Sequence, residues 1–255
     1  MRRELTYFFA ALRFFTRLPV PAWVGHSQDQ LDHAARYFPL IGILVGLLAA
    51  AVTEAVAMVL PLSIAVALGM AASILITGAF HEDGFADVCD GFGGGWEKPQ
   101  VLAIMKDSRV GSYATLGVGL LLLTKWNALV EIDGSFDWPM LALALVAAHA
   151  ASRLAATSLI FALNYVRDDA TARARPLAVR MAPHELAIAA LFGLAPCLLL
   201  PLTGALVALA AVIITTGLLA RYFVRRIGGY TGDCLGATQQ LAELAFYLGL
   251  LCSFT

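Results

Sequence analysis

The densest group of acidic side chains in this sequence follows directly after a long apolar run. Asp83, Asp87 and Asp90 stand at positions i, i+4 and i+7, so a helix would hold them within roughly 60° of one another on one face. Three carboxylates on one face repel one another unless a cation lies between them. Oxygen ligands without a cysteine or histidine pattern favour a hard ion such as Mg²⁺. We therefore predict a magnesium site here over the alternative, a solvated acidic helix end.

A second cluster combines cations with a hydroxyl and one acid, and begins at Lys106. Lys106 and Arg109 are three residues apart, with Asp107 and Ser108 between them, so a helix would direct both cations to one place. Near the start of a helix, unpaired N–H groups and the positive end of the helix dipole also favour phosphate. We predict that these four residues bind substrate phosphates rather than act only as interfacial anchors.

A glycine-rich turn at residues 228–237 opens the last apolar stretch. Asp233 is placed to cap the N-terminus of the helix that follows, which alone would explain an aspartate there. The glycines beside it, together with Thr231 and Gly232, would let backbone amides approach a phosphate closely. One such turn by itself is weak support for a site. The support is stronger if the turn lies on the same side of the molecule as the two clusters above.

Three further cations are candidates for binding or for membrane contacts. Arg17 lies in a basic, proline-ended segment and fits either a phosphate ligand or a lipid headgroup contact. Arg153 lies inside an apolar stretch, where a charge usually faces a polar cavity, and it would be able to approach the acidic cluster. Lys125 also lies in an apolar stretch and is predicted to extend to the outer interface. His149 is predicted to be a hydrogen-bonded interior group.

The composition excludes an ordinary soluble domain. Of the 255 residues, 60% are hydrophobic and 14% are charged, and the mean hydropathy is +0.79, whereas soluble chains have about 45–50% apolar and about 25% charged residues. The net charge of −1 comes without a basic patch interleaved with aromatic residues, so no nucleic-acid partner is predicted. The four cysteines lack paired spacing and are interpreted as small core residues. The expected partner is the lipid bilayer.

The apolar stretches predict an all-α fold, a polytopic membrane bundle of about seven transmembrane helices. A helix of around 20 residues crosses a hydrocarbon core of about 30 Å. Residues 4–16 are predicted to form an amphipathic interfacial helix rather than a cleaved signal peptide. Residues 1–255 are expected to form a single integral membrane domain, with an interfacial segment at 1–36 and the bundle at 37–255. The predicted spans are 37–60, 62–80, 110–130, 138–163, two within 186–220, and one after residue 236.

The distribution of Lys and Arg predicts the orientation of this bundle. Nearly all of them lie in residues 1–36, 81–109, 164–185 and 221–235 or at their borders, which are the inner segments if the N-terminus is cytoplasmic. This asymmetry follows the positive-inside rule. The expected location is the bacterial cytoplasmic (inner) membrane, with a multi-pass chain whose N-terminus and acidic cluster face the cytoplasm.

These stretches together resemble the cobalamin synthase family. The family pattern His-x-Asp-Gly-x-Ala-Asp-x-x-Asp-Gly matches residues 81–91, and Met-x-Asp-Ser-Arg-x-Gly matches residues 105–111. The pattern Gly-Gly-x-Thr-Gly-Asp-x-Leu-Gly-Ala matches residues 228–237. Thr-Arg-Leu-Pro at 16–19 and Phe-Pro-Leu-Ile-Gly at 38–42 fit as well. The matches occur in order over nearly the whole chain, although Glu82 is not carried over.

The resemblance implies an adenosylcobinamide-GDP ribazoletransferase. Such an enzyme transfers the cobinamide phosphoryl group from adenosylcobinamide-GDP to α-ribazole or its 5′-phosphate and releases GMP. By this resemblance, Asp83, Asp87 and Asp90 would hold one or two Mg²⁺ ions, and Lys106 and Arg109 would offset phosphoryl charge. The proton of the ribazole 5′-hydroxyl would pass to Asp90, Asp233 or His81, and these three alternatives stay open.

Three rival functions are weighed against this one. A CDP-alcohol phosphotransferase-like lipid enzyme would need Arg directly after Asp83-Gly84-Phe85-Ala86. This sequence has Asp87 at that position, which counts against such an enzyme. A prenyltransferase would need paired Asn/Asp-x-x-x-Asp motifs on separate helices, and an ion-coupled transporter would show internal repeats.

Small residues in the spans would permit a homo-oligomer, and other corrinoid-pathway enzymes are further expected partners. The small residues are Gly42, Gly46, Ala114 and Gly117.

Overall fold

The structure is a computed structural model that describes residues 2–25, 28–135, 139–166 and 181–252. Over these ranges the fold is all-α, as predicted, with a single isolated bridge between Tyr165 and Tyr230 and no strand. The arginines at 167–180 and Asp137 lie outside the described residues. The helices are α1 (Arg2–Phe15), α2 (Gln28–Ala34), α3 (Phe38–Ala57), α4 (Leu62–Thr77), α5 (Phe80–Gly94), α6 (Lys98–Ile104), α7 (Ser112–Ser135), α8 (Met140–Ala162), α9 (Pro183–Leu194), α10 (Leu202–Ile227) and α11 (Gly232–Cys252).

Prolines and one glycine separate the apolar helices. Pro61 and Pro201 occupy the positions just before α4 and α10, where a missing N–H costs no hydrogen bond. After α4, Gly78 and Ala79 both have positive φ, 69° and 59°, and the chain turns by 89° into α5. This bend carries the acidic cluster away from the direction of the preceding span.

Judged by helix length and composition, the described residues contain fewer candidate membrane spans than the sequence predicts. Within these ranges, four helical stretches are long and apolar enough to cross a bilayer, or five if α4 and α5 count as one bent span. The exact number of seven is not confirmed. The helix at α9 is short and ends in a 3₁₀ turn at Ala195–Leu199, and α11 carries polar residues among its apolar ones.

The small residues that suggested an oligomer allow helices within the bundle to pack closely. A Cβ atom on Gly42 would lie 2.3 Å from the His149 carbonyl oxygen, and one on Gly46 would lie 2.7 Å from Val146 Cα. Both glycines therefore let α3 pack directly on α8. A Cβ on Gly117 would meet Cys89 Sγ at 2.6 Å. Gly42, Gly46 and Gly117 serve contacts within one chain, and the homo-oligomer stays a prediction.

Hydrogen bonds join several helix ends into one face of the molecule. Arg17 N donates to Ile76 O at 2.8 Å, linking the end of α1 to the end of α4. Tyr230 N donates to Asn164 O at 3.0 Å, linking the start of α11 to the end of α8. Arg226 donates to Gly95 O at 2.5 Å, linking α10 to the end of α5. Three of the four sequence clusters lie in the segments that these bonds connect, whereas the Lys106 cluster follows α6 and lies outside them.

The N-terminal helix α1 packs on this face through its apolar side. Ala11 and Phe15 are buried, whereas Arg13 on the opposite side of the helix is partly exposed. Glu4, near the start of α1, is half-exposed and pairs with Arg36 at 3.3 Å. This pattern agrees with the predicted amphipathic helix. Its position at a membrane interface stays a prediction.

Candidate functional site

Two helices cross closely at the acidic cluster because glycines face each other. A Cβ on Gly84 of α5 would lie 3.1 Å from both Asp233 Cα and Asp233 O, and one on Gly236 of α11 would lie 3.1 Å from His81 O. Larger side chains at these two glycines would separate the helices. The crossing therefore places the first turn of α11 directly beside the first turn of α5, which carries Asp83.

The helical stripe of acids forms as predicted, but its third member has a structural role. Both Asp90 carboxylate oxygens accept backbone hydrogen bonds, from Gly111 N at 2.6 Å and from Ala114 N at 2.9 Å. These donors lie at the start of α7, where N–H groups have no partner within the helix. Asp90 therefore caps α7 from a neighbouring helix, in the way that a local aspartate would. Its metal-ligand role stays a prediction.

A polar cavity of about 200 Å³ lies beside this stripe. We call it the acidic cavity. Asp83, Asp87 and Asp90 line one side, and the loop at residues 105–110 lines the other. Lys106, Asp107, Ser108 and Arg109 therefore share a cavity with the acids, as the sequence predicted. The cavity brings carboxylates and cations together around a space large enough for phosphate groups.

The 105–110 segment is a loop, so the predicted helical alignment of Lys106 and Arg109 is wrong. The helix α6 ends at Ile104, and Arg109 folds back on Asp107, with contacts of 2.5–3.0 Å between the guanidinium and the carboxylate. The side-chain hydrogen bond from Arg109, followed by its backbone N–H, lowers the pKa of Asp107 from 3.8 to about 2. Asp107 therefore stays anionic beside Arg109, and the two side chains form an exposed ion pair in this loop.

The carboxylates of the acidic cavity fit a metal ion that is also bound by a substrate. Among the described residues, no group of three or more His, Cys, Asp or Glu side chains converges as a metal site. Asp83 is exposed and Asp87 is half-buried, whereas Asp90 is already bound to two backbone N–H groups. Mg²⁺ is commonly held by one or two carboxylates with substrate phosphates and water, so Asp83 and Asp87 fit that mode of binding.

A second cavity, of about 230 Å³, lies on the other side of Asp83. We call it the aromatic cavity, because Phe14, Phe15, Phe38 and Phe80 line it. Its polar lining includes residues that the sequence singled out, together with Tyr165 and Gln239. Asp83 lines both cavities and so lies between them. The predicted site residues in this lining are His81, Asp83, Arg153, Gly232 and Asp233.

Two predicted site residues lie outside both linings. Thr231 is fully buried, and its hydroxyl accepts a hydrogen bond from Cys234 N at 3.3 Å. Thr231 is therefore the N-cap of α11, and the prediction that Asp233 has this role is wrong, since Asp233 stands one residue inside the helix. Arg17 is exposed and lies over Gly78, at the bend before α5.

Comparison with known proteins identifies the family. The model of the cobalamin-5-phosphate synthase family matches residues 7–251. The chain belongs to this family. A relative from Shewanella frigidimarina, named adenosylcobinamide-GDP ribazoletransferase, is 49% identical over 250 residues, covering 98% of this chain and 95% of the relative. Another of the same name, from Shewanella piezotolerans, is 46% identical, covering 98% and 96%. No solved structure matches.

This cobalamin-5-phosphate synthase family member also contains an interior ionic network that the sequence analysis missed. Lys125 is buried and donates to Glu243 at 3.0 Å and to Gln240 at 2.8 Å, so its predicted extension to the outer interface is wrong. Gln239 donates to Glu243 at 2.6 Å. The signal in the sequence was Glu243, an acid in the middle of the last helix close to Gln239 and Gln240, since a charge inside a membrane helix usually marks a paired interior group.

The network reaches the aromatic cavity through His149 and Arg153. Arg153 is 2% exposed and donates to His149 Nδ1 at 3.1 Å and to the His149 carbonyl oxygen at 3.0 Å. His149 in turn lies 3.5 Å from Glu243, which confirms the prediction of a hydrogen-bonded interior histidine. These contacts hold the Arg153 guanidinium against the same cavity as Asp83, as the sequence suggested.

Proposed function

We propose that this chain joins adenosylcobinamide-GDP to α-ribazole or its 5′-phosphate, giving adenosylcobalamin or its 5′-phosphate and GMP. It is a transferase of substituted phosphate groups. Membership of the family and the names of the relatives support this reaction. One feature of the site supports it independently of names: Asp83 lines two cavities of different chemistry. A reaction between a polyphosphate ester and a nucleoside requires two such subsites that meet at one point.

In this proposal the acidic cavity receives the pyrophosphate of adenosylcobinamide-GDP. Lys106 would offset the charge that develops on the phosphoryl oxygens and on departing GMP. The paired Asp107 and Arg109 would fix the loop rather than supply a second full charge. Phosphoryl transfer depends mainly on positioning and charge neutralisation, and Asp90 contributes to positioning because it joins α5 to the start of α7.

We propose Mg²⁺ as the cofactor, held by Asp83 and Asp87 together with substrate phosphate oxygens. When bound, the ion would neutralise phosphate charge and stabilise the attacking and leaving oxygens. Asp90 would support this site through its contacts with α7. This assignment rests on the acidic lining of the cavity and on the preference of Mg²⁺ for few protein ligands.

The acceptor is better assigned to a secondary ribose hydroxyl than to the 5′-hydroxyl suggested above. The family is named for cobalamin-5-phosphate, a product in which the 5′ position carries a phosphate and so has not attacked. The oxygen of a secondary hydroxyl would bond to phosphorus, the bond to the GMP oxygen would break, and a carboxylate would take the proton. Of the three bases we assign this role to Asp233, a carboxylate in the lining of the second cavity whose backbone packs on Gly84, next to Asp83.

We further propose that the chain lies in the bacterial inner membrane with this face toward the cytoplasm. The apolar helices support membrane insertion. The distribution of Lys and Arg supports the orientation, and nucleotide substrates are cytoplasmic. The rival functions gain no comparable support from the cavities.

The reaction can be tested with the purified full-length chain in liposomes. Adenosylcobinamide-GDP and α-ribazole should give adenosylcobalamin and GMP, measured by liquid chromatography, with activity lost in EDTA and restored by Mg²⁺. Asp83→Asn and Asp87→Asn should each lower kcat by roughly 100-fold or more, because the amide keeps the size but removes the charge.

Asp133→Asn is the matched control, since Asp133 is exposed and lines neither cavity. It should leave kcat unchanged. An EDTA-insensitive rate, or wild-type rates in both cavity variants, would contradict the magnesium assignment, and absence of product with either nucleoside would contradict the reaction.

A further inference from the structure

The aromatic cavity has a wall of phenylalanine rings drawn from three helices. Phe15 of α1 has its ring centroid 4.3 Å from that of Phe38 on α3 and 5.6 Å from that of Phe80 on α5. The Phe14 centroid lies 5.1 Å from that of Phe80. Because the rings contact one another in edge-to-face geometry, they form a fixed surface. Such a surface favours a flat, apolar ring as its ligand.

The lining of this cavity also includes a buried cation, Arg153, one of whose donors has no hydrogen-bond partner among the described residues. Arg153 is 2% exposed, and its Nε has no hydrogen-bond partner among the described residues. A buried donor without a partner costs free energy, and a bound ligand that offers an oxygen would remove that cost. An acyl chain offers no such oxygen, whereas a nucleoside offers both an apolar base and ribose oxygens. The lining therefore favours a nucleoside over a lipid tail.

The size and position of the cavity limit what part of a ligand it takes. Its volume of about 230 Å³ is below the roughly 300–1,000 Å³ of pockets that enclose whole drug-sized ligands. A corrinoid macrocycle is far too large for it, but a bicyclic base fits that scale. Phe80, Asp83 and Gly232 are the exposed residues of the lining, so the cavity opens along a side that includes Asp83, the residue shared with the acidic cavity.

We propose that the aromatic cavity is the nucleoside subsite, and that it encloses the dimethylbenzimidazole base of the ribazole substrate. The base would lie against the phenylalanine wall, and the ribose would lie toward Arg153, Asp233 and Asp83. The acceptor hydroxyl then stands where the two cavities meet. This inference rests on the proposed reaction and deepens it, since it assigns each substrate to its own cavity.

Filling each cavity in turn tests the assignment. Ala156 lines the aromatic cavity and Ala86 lines the acidic cavity. Ala156→Leu should raise KM for α-ribazole at least tenfold and leave KM for adenosylcobinamide-GDP within twofold. Ala86→Leu should raise KM for adenosylcobinamide-GDP at least tenfold and leave KM for α-ribazole within twofold. Ala187→Leu, on an exposed position of α9, is the matched control and should change neither value.

A series of nucleosides tests the same assignment without altering the protein. Each methyl group removed from a buried base loses about 0.8 kcal/mol of transfer free energy. The riboside of unsubstituted benzimidazole should therefore show a KM roughly tenfold to twentyfold above that of α-ribazole with the wild-type chain. KM for adenosylcobinamide-GDP should not change along the series.

The outcomes separate this inference from the reaction on which it rests. If the wild-type chain forms product but Ala156→Leu raises KM for adenosylcobinamide-GDP instead, or the base series has no effect on KM, the subsite assignment is wrong and the reaction stands. If the wild-type chain forms no product from either nucleoside, the reaction itself fails. If Ala156→Leu does not fold, the nucleoside series decides.

Discussion

At the scale of single residues, the structure gives two predicted polar residues partners that the sequence did not indicate. The Asp90 carboxylate, for which metal binding stays a prediction, accepts two backbone N–H groups of α7. Lys125 was expected to reach the outer interface, but it pairs with Glu243 inside the bundle. In both cases the partner is more than 20 residues away in sequence, so spacing along one helix gives no information about it.

The Lys125–Glu243 pair yields a prediction about stability. Removing one member of a buried ion pair leaves the other charge uncompensated, which costs about 3–5 kcal/mol. Lys125→Met and Glu243→Gln should each strongly lower the thermal unfolding midpoint of the detergent-purified protein. The double variant removes both charges and should be more stable than either single variant.

An exposed lysine provides the control for these substitutions. Lys98→Met changes an exposed side chain at the start of α6 and should alter the midpoint little. Additive losses in the double variant would show that the two buried groups do not stabilise each other.

At the scale of helices, the crossing of α5 and α11 determines the shape of the site. Gly84 and Gly236 allow the two backbones to approach, which places Asp233 beside the turn that carries Asp83. The family patterns include both glycines, but a pattern alone does not show that they face each other. The bend at Gly78 and Ala79 is equally necessary, because it turns α5 across the end of the bundle.

A methyl group at this crossing should impair catalysis more than folding. In Gly84→Ala the new Cβ would lie 3.1 Å from Asp233 Cα and O, so the helices must separate by a few tenths of an ångström. Overpacking of this kind costs about 1–3 kcal/mol, and small misplacements of reacting groups reduce the rate steeply. We expect kcat to fall about tenfold or more, with the protein still inserted in the membrane.

Gly119→Ala is the matched control for this substitution. Gly119 is a helical glycine of α7, and a Cβ added to it would meet no atom of the described residues within 4 Å. Alanine there should stabilise the helix slightly. Equal activity of the two variants would show that the crossing tolerates an extra methyl group and does not determine the position of Asp233.

At the scale of the whole molecule, the functional clusters lie at one end of the bundle. The contacts between helix ends and the two adjoining cavities place the acids, the cationic loop and the start of α11 together. The described residues on either side of the α7–α8 connection, Ser135 and Met140, line neither cavity. This separation gives the proposed orientation a direct test, since only the cavity end should meet the cytoplasm.

Cysteine labelling from the two sides of the membrane measures this orientation. Trp96 is 87% exposed near the end of α5, and Gly134 is exposed near the end of α7. In a background that carries Cys252→Ser, which removes the exposed native thiol, an impermeant maleimide should label Gly134→Cys in intact spheroplasts. Trp96→Cys should react only after the membrane is opened. Labelling of both from one side would overturn the topology.

The sequence by itself determined the membrane class, the all-α fold, the family and most of the residues that surround the site. These properties depend on composition, on periodicity within one helix and on ordered motifs, all of which are local in the chain. Only the tertiary structure decided that Asp83 lies between two cavities, that Asp90 caps α7 and that four phenylalanines form one wall. Each of these features depends on contacts between helices far apart in sequence, where packing rather than spacing determines which side chains meet.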